Sequence, residues 1–495
     1  MPQPLAPLDP NDFGYWEAAH LLQRAGFGGT PEQVLTLTEM GLDGAVDHLL
    51  NWTAVPDPLD DPGFSSDIMR PATAEERNQM RMARRDGDET AREKARMLRQ
   101  QRQRADRQQM SKGRTWWLER MIETSRPLQE KLTLFWHGHF ATGYRAVEDS
   151  WHMLQQNQML RENAAGDFKT ALVHGIIRDP AMIKYLNNNQ NRRGAPNENL
   201  ARELMELFTL GEGNGYSEDD IKEGARALTG FTYNDDAFSF NSRAHDDDIK
   251  TIFGRRGNWS ADDFVELIFT RPTSSTWICW KLYRFFVDDA ADSTEQSMTV
   301  VNAMGKTLKR QNWNVAPVLS EVFKSKHFYH PTRRGTLVKS PVQLVVQACR
   351  SMNLPARNVS RLGEACTLMG QSLFAPPSVK GWDGGTAWIN TSTLFTRQNT
   401  LVYLLTGREP GSNPWDGGGS LDHDLSRLVA HLPDVPQRDR PNDAATYLAR
   451  FLLGTMPDAT RLGQWADLAR GRSLDATTVT RLVALISAAP EYQLC

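Results

Sequence analysis

The chain has 495 residues, 40% hydrophobic and 24% charged, and carries a formal net charge of -3. Such a composition belongs to an ordinary folded protein whose core can support two or three subdomains. It excludes a global electrostatic pull toward nucleic acid or an anionic membrane, and no apolar run approaches the roughly 20 residues needed to span a bilayer.

The start, Met1-Pro2-Gln3-Pro4-Leu5-Ala6-Pro7, lacks the basic segment and apolar core of a signal peptide, so the cytoplasm is the default compartment. Thr30-Pro31-Glu32 predicts a capped helix start, Gly41 its stop, and Asp43 the cap of the next helix. Signals of this kind recur, whereas Val/Ile/Thr-rich runs of period two are scarce. The expected fold is therefore mainly α, a multi-helix body with a small C-terminal helical subdomain. Residues 1–76 read as an N-terminal helical segment. Residues 77–114 hold 13 Lys or Arg against 5 Asp or Glu, a pattern that predicts a basic, solvated helical arm broken near Asp86-Gly87-Asp88. Only Trp116 and Trp117 lie nearby as stacking platforms, so no nucleic-acid partner is expected.

Residues 115–406 form the central helical body, in which helices starting near Ser125, Asn197 and Ser217 are expected to pack together. The glycine-rich stretch 407–420 reads as a linker. In the subdomain 421–495, Val479, Leu482, Val483 and Ile486 share one face of an amphipathic helix. Cys279, Cys349, Cys366 and Cys495 are scattered without metal-finger spacing and read as reduced, buried thiols.

The stretch from Pro196 to Gly211 concentrates the chemistry. Read as a helix, it places Leu200, Leu204, Leu207 and Phe208 on one face and Asn199, Arg202, Glu203 and Glu206 on another. Glu198, Glu203 and Glu206 are the carboxylate candidates. One of them in a dry pocket would serve as an acid while a solvated or Arg-paired neighbour stays ionised, the division of labour used by glycosidases. Asn197, Asn199, Arg202, Arg226 and Trp382 are candidates for holding a polar polymer such as a glycan. The structural alternative makes Arg202–Glu206 an ordinary ion pair and Glu198 a partner of the helix start. Arg226, on the helix capped by Ser217, is expected to cross to Glu203 or Glu206.

His137 and His139 flank Gly138, and with His245 and Asp246–Asp248 they suggest a divalent site for zinc or manganese. Inside a continuous helix the two rings would point about 200° apart, so a structural role is the competing reading. Asp235-Asp236 and Asp246-Asp247-Asp248 read as solvated loop because they lack the glycine and glutamate of an EF-hand. Trp277 and Trp280 read as core, Trp382 and Trp388 as exposed in a glycine-rich loop. Phosphate-binding loops, dinucleotide fingerprints, nucleophile elbows and zinc-protease motifs are not found, so the ATPase, dehydrogenase, serine-hydrolase and zinc-protease readings lack support.

Several longer strings carry a family resemblance: Arg24-Ala25-Gly26-Phe27-Gly28, Phe135-Trp136-His137-Gly138-His139-Phe140, Arg161-Glu162-Asn163, Asp179-Pro180-Ala181-Met182 and Pro196 to Glu203. Ala225 to Gly230, Lys339-Ser340-Pro341, Met369-Gly370-Gln371, Pro376-Pro377 and Val379-Lys380-Gly381-Trp382 continue them. Together they resemble a bacterial family known as domain of unknown function 1800, over most of the chain. The resemblance implies no settled activity. It does imply a genomic neighbour that looks like an exported, sulfatase-related protein, hence a possible partner and export together with it. A hydrolase-like enzyme acting on a glycan through carboxylate chemistry is the leading expectation, and a non-catalytic scaffold for that partner is the alternative.

Overall fold

The computed structural model describes residues 3–57, 59, 62–85, 89–289, 294–408, 423–430, 432 and 440–495. The cap signals are the ones the chain uses. Thr30 accepts from the Gln33 amide while Gln33 returns to the Thr30 amide, opening the helix Pro31–Leu50. Gly41 breaks that run as expected, leaving the helical region at φ 68 and ψ 176. Two helices thus meet there at a kink, the second running on to Leu50. Twenty-two α-helices occur among the described residues. The strands form two antiparallel hairpins, Phe231–Asn234 with Ala237–Phe240 and Lys250–Ile252 with Arg255–Gly257. The fold is mainly α.

The basic arm forms the helix Ala74–Arg85 and the first part of Glu89–Glu123, and its expected break at 86–88 lies outside the described residues. Met97 and Leu98 are exposed there, but from Asp106 onward one face of the long helix enters the core through Met110, Trp117, Leu118 and Met121. The helix Pro127–His139 runs through the centre of the molecule. Leu128, Leu132 and Trp136 are fully buried, as are its charged Glu130 and nearly so its Lys131. Buried on every side, its polar residues Gln129, Thr133, His137 and His139 included, it is a core helix.

The helices beginning at Pro127, Asn199 and Glu218 are indeed neighbours. His139 at the end of the first bonds the Phe208 carbonyl, and the second packs along Glu218–Ala227. Of the expected linker only Gly407 and Arg408 are described, Gly407 closing the helix Thr391–Thr406 at φ 70. The helices Arg440–Leu453, Ala459–Ala469 and Ala476–Ser487 pack on one another. The chain then runs back into the body: Val338 bridges Leu494, and the Lys339 amide donates to the Gln493 carbonyl at 2.8 Å. All four cysteines are free and buried, and no described helix is long and apolar enough to cross a membrane.

Candidate functional site

The Asn197–Glu206 stripe is helical, but not as one regular helix. Asn199–Glu203 is α-helical and Leu204–Thr209 widens into a π-turn, with the Thr209 hydroxyl donating five residues back to the Leu204 carbonyl. The widening buries Met205 beside Leu204 and Phe208 and leaves Leu207 half-buried. Arg202 is gripped by three carboxylates: Glu198 at 3.0 Å, Glu206 at 3.2 Å and Glu218 at 2.7 Å. Glu203 is the exception in this stripe. It is half-buried, and burial, then the Glu206 charge, push its pKa up despite Arg202 and Lys380 nearby. Asn197 acts as a turn former, its side-chain oxygen accepting from the Asn199 amide at 3.0 Å, and Asn199 itself is exposed.

Arg226 corrects the expectation placed on it. It bonds Glu223 on its own helix at 2.9 Å and Asp246 at 2.8 Å, and so ties a helix to the second hairpin instead of reaching Glu203 or Glu206. Asp246 is therefore not a solvated loop residue but a buried partner, with its carboxyl held below the usual range by the Arg226 hydrogen bond. Asp235, at φ 56, turns the first hairpin.

The three histidines are not gathered into one site. His137 and His139 both lie inside a continuous helix, so their rings diverge. The His137 Nε2 accepts from the Phe374 amide at 3.2 Å, which puts its proton on Nδ1, and burial lowers its pKa to about 3. His139 donates from Nε2 to the Phe208 carbonyl at 3.0 Å and is held neutral by burial among Phe135, Phe140 and Phe208. His245 donates to the Thr229 carbonyl at 2.8 Å in a separate loop. Among the described residues no cluster of three or more His, Cys, Asp or Glu side chains could hold a metal.

What the helix of His137 and His139 does build is a half-open cavity of about 350 Å³. Its walls are that helix, the helix Thr273–Phe286, the segment 337–343 and the loop 380–388. Segments far apart in sequence meet here: Phe135, Gly138 and His139, then Lys339 and Ser340, then Gln371, then Lys380 and Trp382. Gly138 and Gly381 make the meeting possible. A Cβ on Gly381, which sits at φ 82, would lie 2.1 Å from the Gly138 carbonyl oxygen, and the Trp382 ring lies across the space where a Gly138 Cβ would point. Gly381→Ala is expected to destabilise the protein by roughly 2–4 kcal/mol through left-handed strain and overpacking. Urea denaturation followed by tryptophan fluorescence measures it, and an unchanged midpoint would show that the loop docks without that contact.

Five cationic side chains line the cavity, Lys131, Lys281, Arg284, Lys339 and Lys380, against Asp289 and Asp383. Lys131 bonds the Gln343 side-chain oxygen and lies over the Phe27 ring at 5.0 Å. Lys339 sits over the Tyr492 ring at 3.9 Å, and its Nζ has no hydrogen-bond partner among the described residues. Burial lowers both amines to about 7, and Lys281 to about 8. The indole N–H of Trp382, also buried, has no hydrogen-bond partner among the described residues. Buried donors without acceptors call for a ligand or ordered water that accepts from them. Trp277, Trp280 and Trp388 complete the lining. Trp277 and Trp280 are thus half-buried wall rather than core, and Trp388 is buried rather than exposed.

The cavity lysines escaped the sequence reading, although Lys131 and Lys281 each interrupt an apolar or aromatic helical run. A charge placed where the pattern demands a core residue is the signal that could have found them. Glu198, Glu203 and Glu206 do not line the cavity; their link to it is Lys380, which lines the wall, lies 3.7 Å from Glu212 and offsets part of the rise of the Glu203 carboxyl.

Fold and site define a mainly α protein built around a lysine- and tryptophan-lined cavity. The chain belongs to the family described as protein of unknown function DUF1800, which it matches over residues 20–494. No curated protein and no solved structure matches it.

Proposed function

We propose that the protein is a hydrolase-like enzyme acting on an acidic glycan, with an acidic sugar held in the lysine-lined cavity. The observation that carries this reading is the convergence on one cavity of separate sequence motifs together with two buried donors, the Lys339 ammonium and the Trp382 N–H, that lack acceptors among the described residues. Its size is at the small end of ligand pockets, which run from roughly 300 to 1,000 Å³. Tryptophan rings offer faces to the apolar side of a sugar. Lysine ammonium groups and the Trp382 N–H offer donors to its carboxylate or sulfate.

Outside the cavity lining but linked to it through Lys380, Glu203 carries a raised pKa and Glu206 is paired with Arg202, which offers two carboxyl groups in different surroundings for acid and base roles. In this reading Glu203 gives its proton to the leaving glycosidic oxygen and Glu206 takes one from the attacking water. The glycosidic bond is thereby exchanged for two hydroxyl groups, with no redox change.

The test is the release of new reducing ends from oligogalacturonate and from heparin-derived oligosaccharides. Glu203→Gln is expected to lower the rate at least about a hundredfold, in the range of general acid catalysis, while leaving binding intact. Full activity in that variant would remove Glu203 from the chemistry. Tight binding without any cleavage would favour the scaffold reading, in which the protein serves an exported sulfatase-like partner.

A further inference from the structure

A second concavity, of about 800 Å³, opens on another face of the molecule and makes no use of the lysine cavity. One of its walls is the helix Ser150–Glu162, where Trp151, Gln155, Gln158 and Glu162 follow one another at spacings of four, three and four residues. These positions form a single stripe roughly 16 Å long at 1.5 Å per residue, enough for several hexose rings in a row. Across from it stand Phe64 and Trp116, edge to face at 5.7 Å, and the buried Gln129. Asp179 lies at its base, with its carboxyl pushed up by burial to about 7.

Most of the charges around this cleft are already engaged, Arg126 donating to the Val55 carbonyl at 2.7 Å and Glu162 accepting from Gln158 at 2.8 Å. Arg120 bonds Asp57 and Glu130, Arg161 bonds Glu130, and Arg178 holds both oxygens of Asp262 at 2.6 and 2.7 Å. The cleft therefore offers an anion little that is free. What it leaves open is neutral: the Trp151 indole N–H is a buried donor, and the Gln129 and Gln155 side-chain oxygens are buried acceptors, all without partners among the described residues. Gln129 is only 7% exposed, and its amide nitrogen is already engaged by the Arg161 carbonyl at 3.2 Å, so its oxygen is fixed in place. A sugar hydroxyl both donates and accepts and so can serve a lone donor and a lone acceptor at once. The half-buried Trp151 ring lines the cleft, where an aromatic ring can meet the C–H face of a pyranose.

We infer that this cleft is a second binding site, for a neutral oligosaccharide, and that it would hold a glycan chain independently of the cavity. The inference does not rest on the hydrolase reading.

Cellohexaose, xylohexaose, chitohexaose and maltohexaose, titrated to about 10 mM against the full chain by calorimetry and tryptophan fluorescence, test it. At least one is expected to bind. Trp151→Phe, which keeps a ring but deletes the N–H, and Gln155→Leu are each expected to weaken that binding about tenfold, the effect of one lost hydrogen bond. Lys339→Met is expected to leave it unchanged. Absence of binding to all four sugars, or an affinity that neither cleft substitution moves, would overturn the inference.

Discussion

Replacing Glu130 by alanine is expected to lower the unfolding free energy by about 3–5 kcal/mol, the scale for removing one partner from a buried charge pair. Glu130 is fully buried and accepts from the Trp117 indole at 2.9 Å, from Arg120 at 2.7 Å and from Arg161 at 2.7 and 3.1 Å. Burial alone would push its pKa up, but Arg161 and Arg120 outweigh that and hold it below the usual carboxylate range. Its contribution is thus present above the unfolded value of 4.5 and is lost only as pH falls below it. Alanine would leave Arg161, itself 3% exposed, with its charge unmatched in the core. Urea denaturation of the variant checks the figure. A loss under about 1 kcal/mol would mean that water reaches those arginines freely.

Lys339→Met is expected to act in opposite directions on stability and on binding. Methionine matches the lysine stem in volume but brings no charge into a fully buried site, so the unliganded protein should become more stable near neutral pH. The sign with pH follows from linkage. The unfolded lysine keeps its proton up to 10.5 whereas the native one loses it at about 7, so the wild type gains stability as pH rises between those values. The advantage of the variant should shrink over the same interval. Its affinity for an acidic sugar should fall at least about thirtyfold, as for truncation of one partner of a buried charge pair. A variant that is more stable and still binds would place the ligand elsewhere.

Legibility in the sequence followed the range of the interactions. Caps were readable because Thr30 and Ser217 act on residues three positions away. The mainly α class was readable from period alone. The Arg202 ion pairs with Glu198 and Glu206 were readable as spacings of four, but the Glu218 partner was not, because it comes from the next helix. The π-turn at Leu204–Thr209 has no periodic signature, and it moved Met205 into the core in place of Leu207. Arg226 was misread for a similar reason: its choice of Asp246 over Glu203 depends on how a hairpin folds back, which no local pattern fixes.

The candidate site was legible only as fragments. His139, Lys339 and Trp382 stood in separate motifs, and only the packing of four segments across Gly138 and Gly381 makes them walls of one cavity. The histidines looked like ligands because His-x-His is a metal spacing. Their burial in aromatic surroundings, which keeps both neutral, was not visible in the spacing.

Calorimetric titration of the wild-type chain with an acidic oligosaccharide, oligogalacturonate, at pH 6 and at pH 9 tests the cavity most directly. At pH 6 Lys131 and Lys339 carry their protons, and at pH 9, above their values of about 7, they have lost them. Binding should be tight at pH 6, at least about tenfold weaker at pH 9, accompanied by proton uptake near neutrality, and absent at this site in Lys339→Met. No binding at pH 6, or binding of equal strength at both pH values and in the variant, would contradict the assignment of the cavity as the site for an acidic ligand.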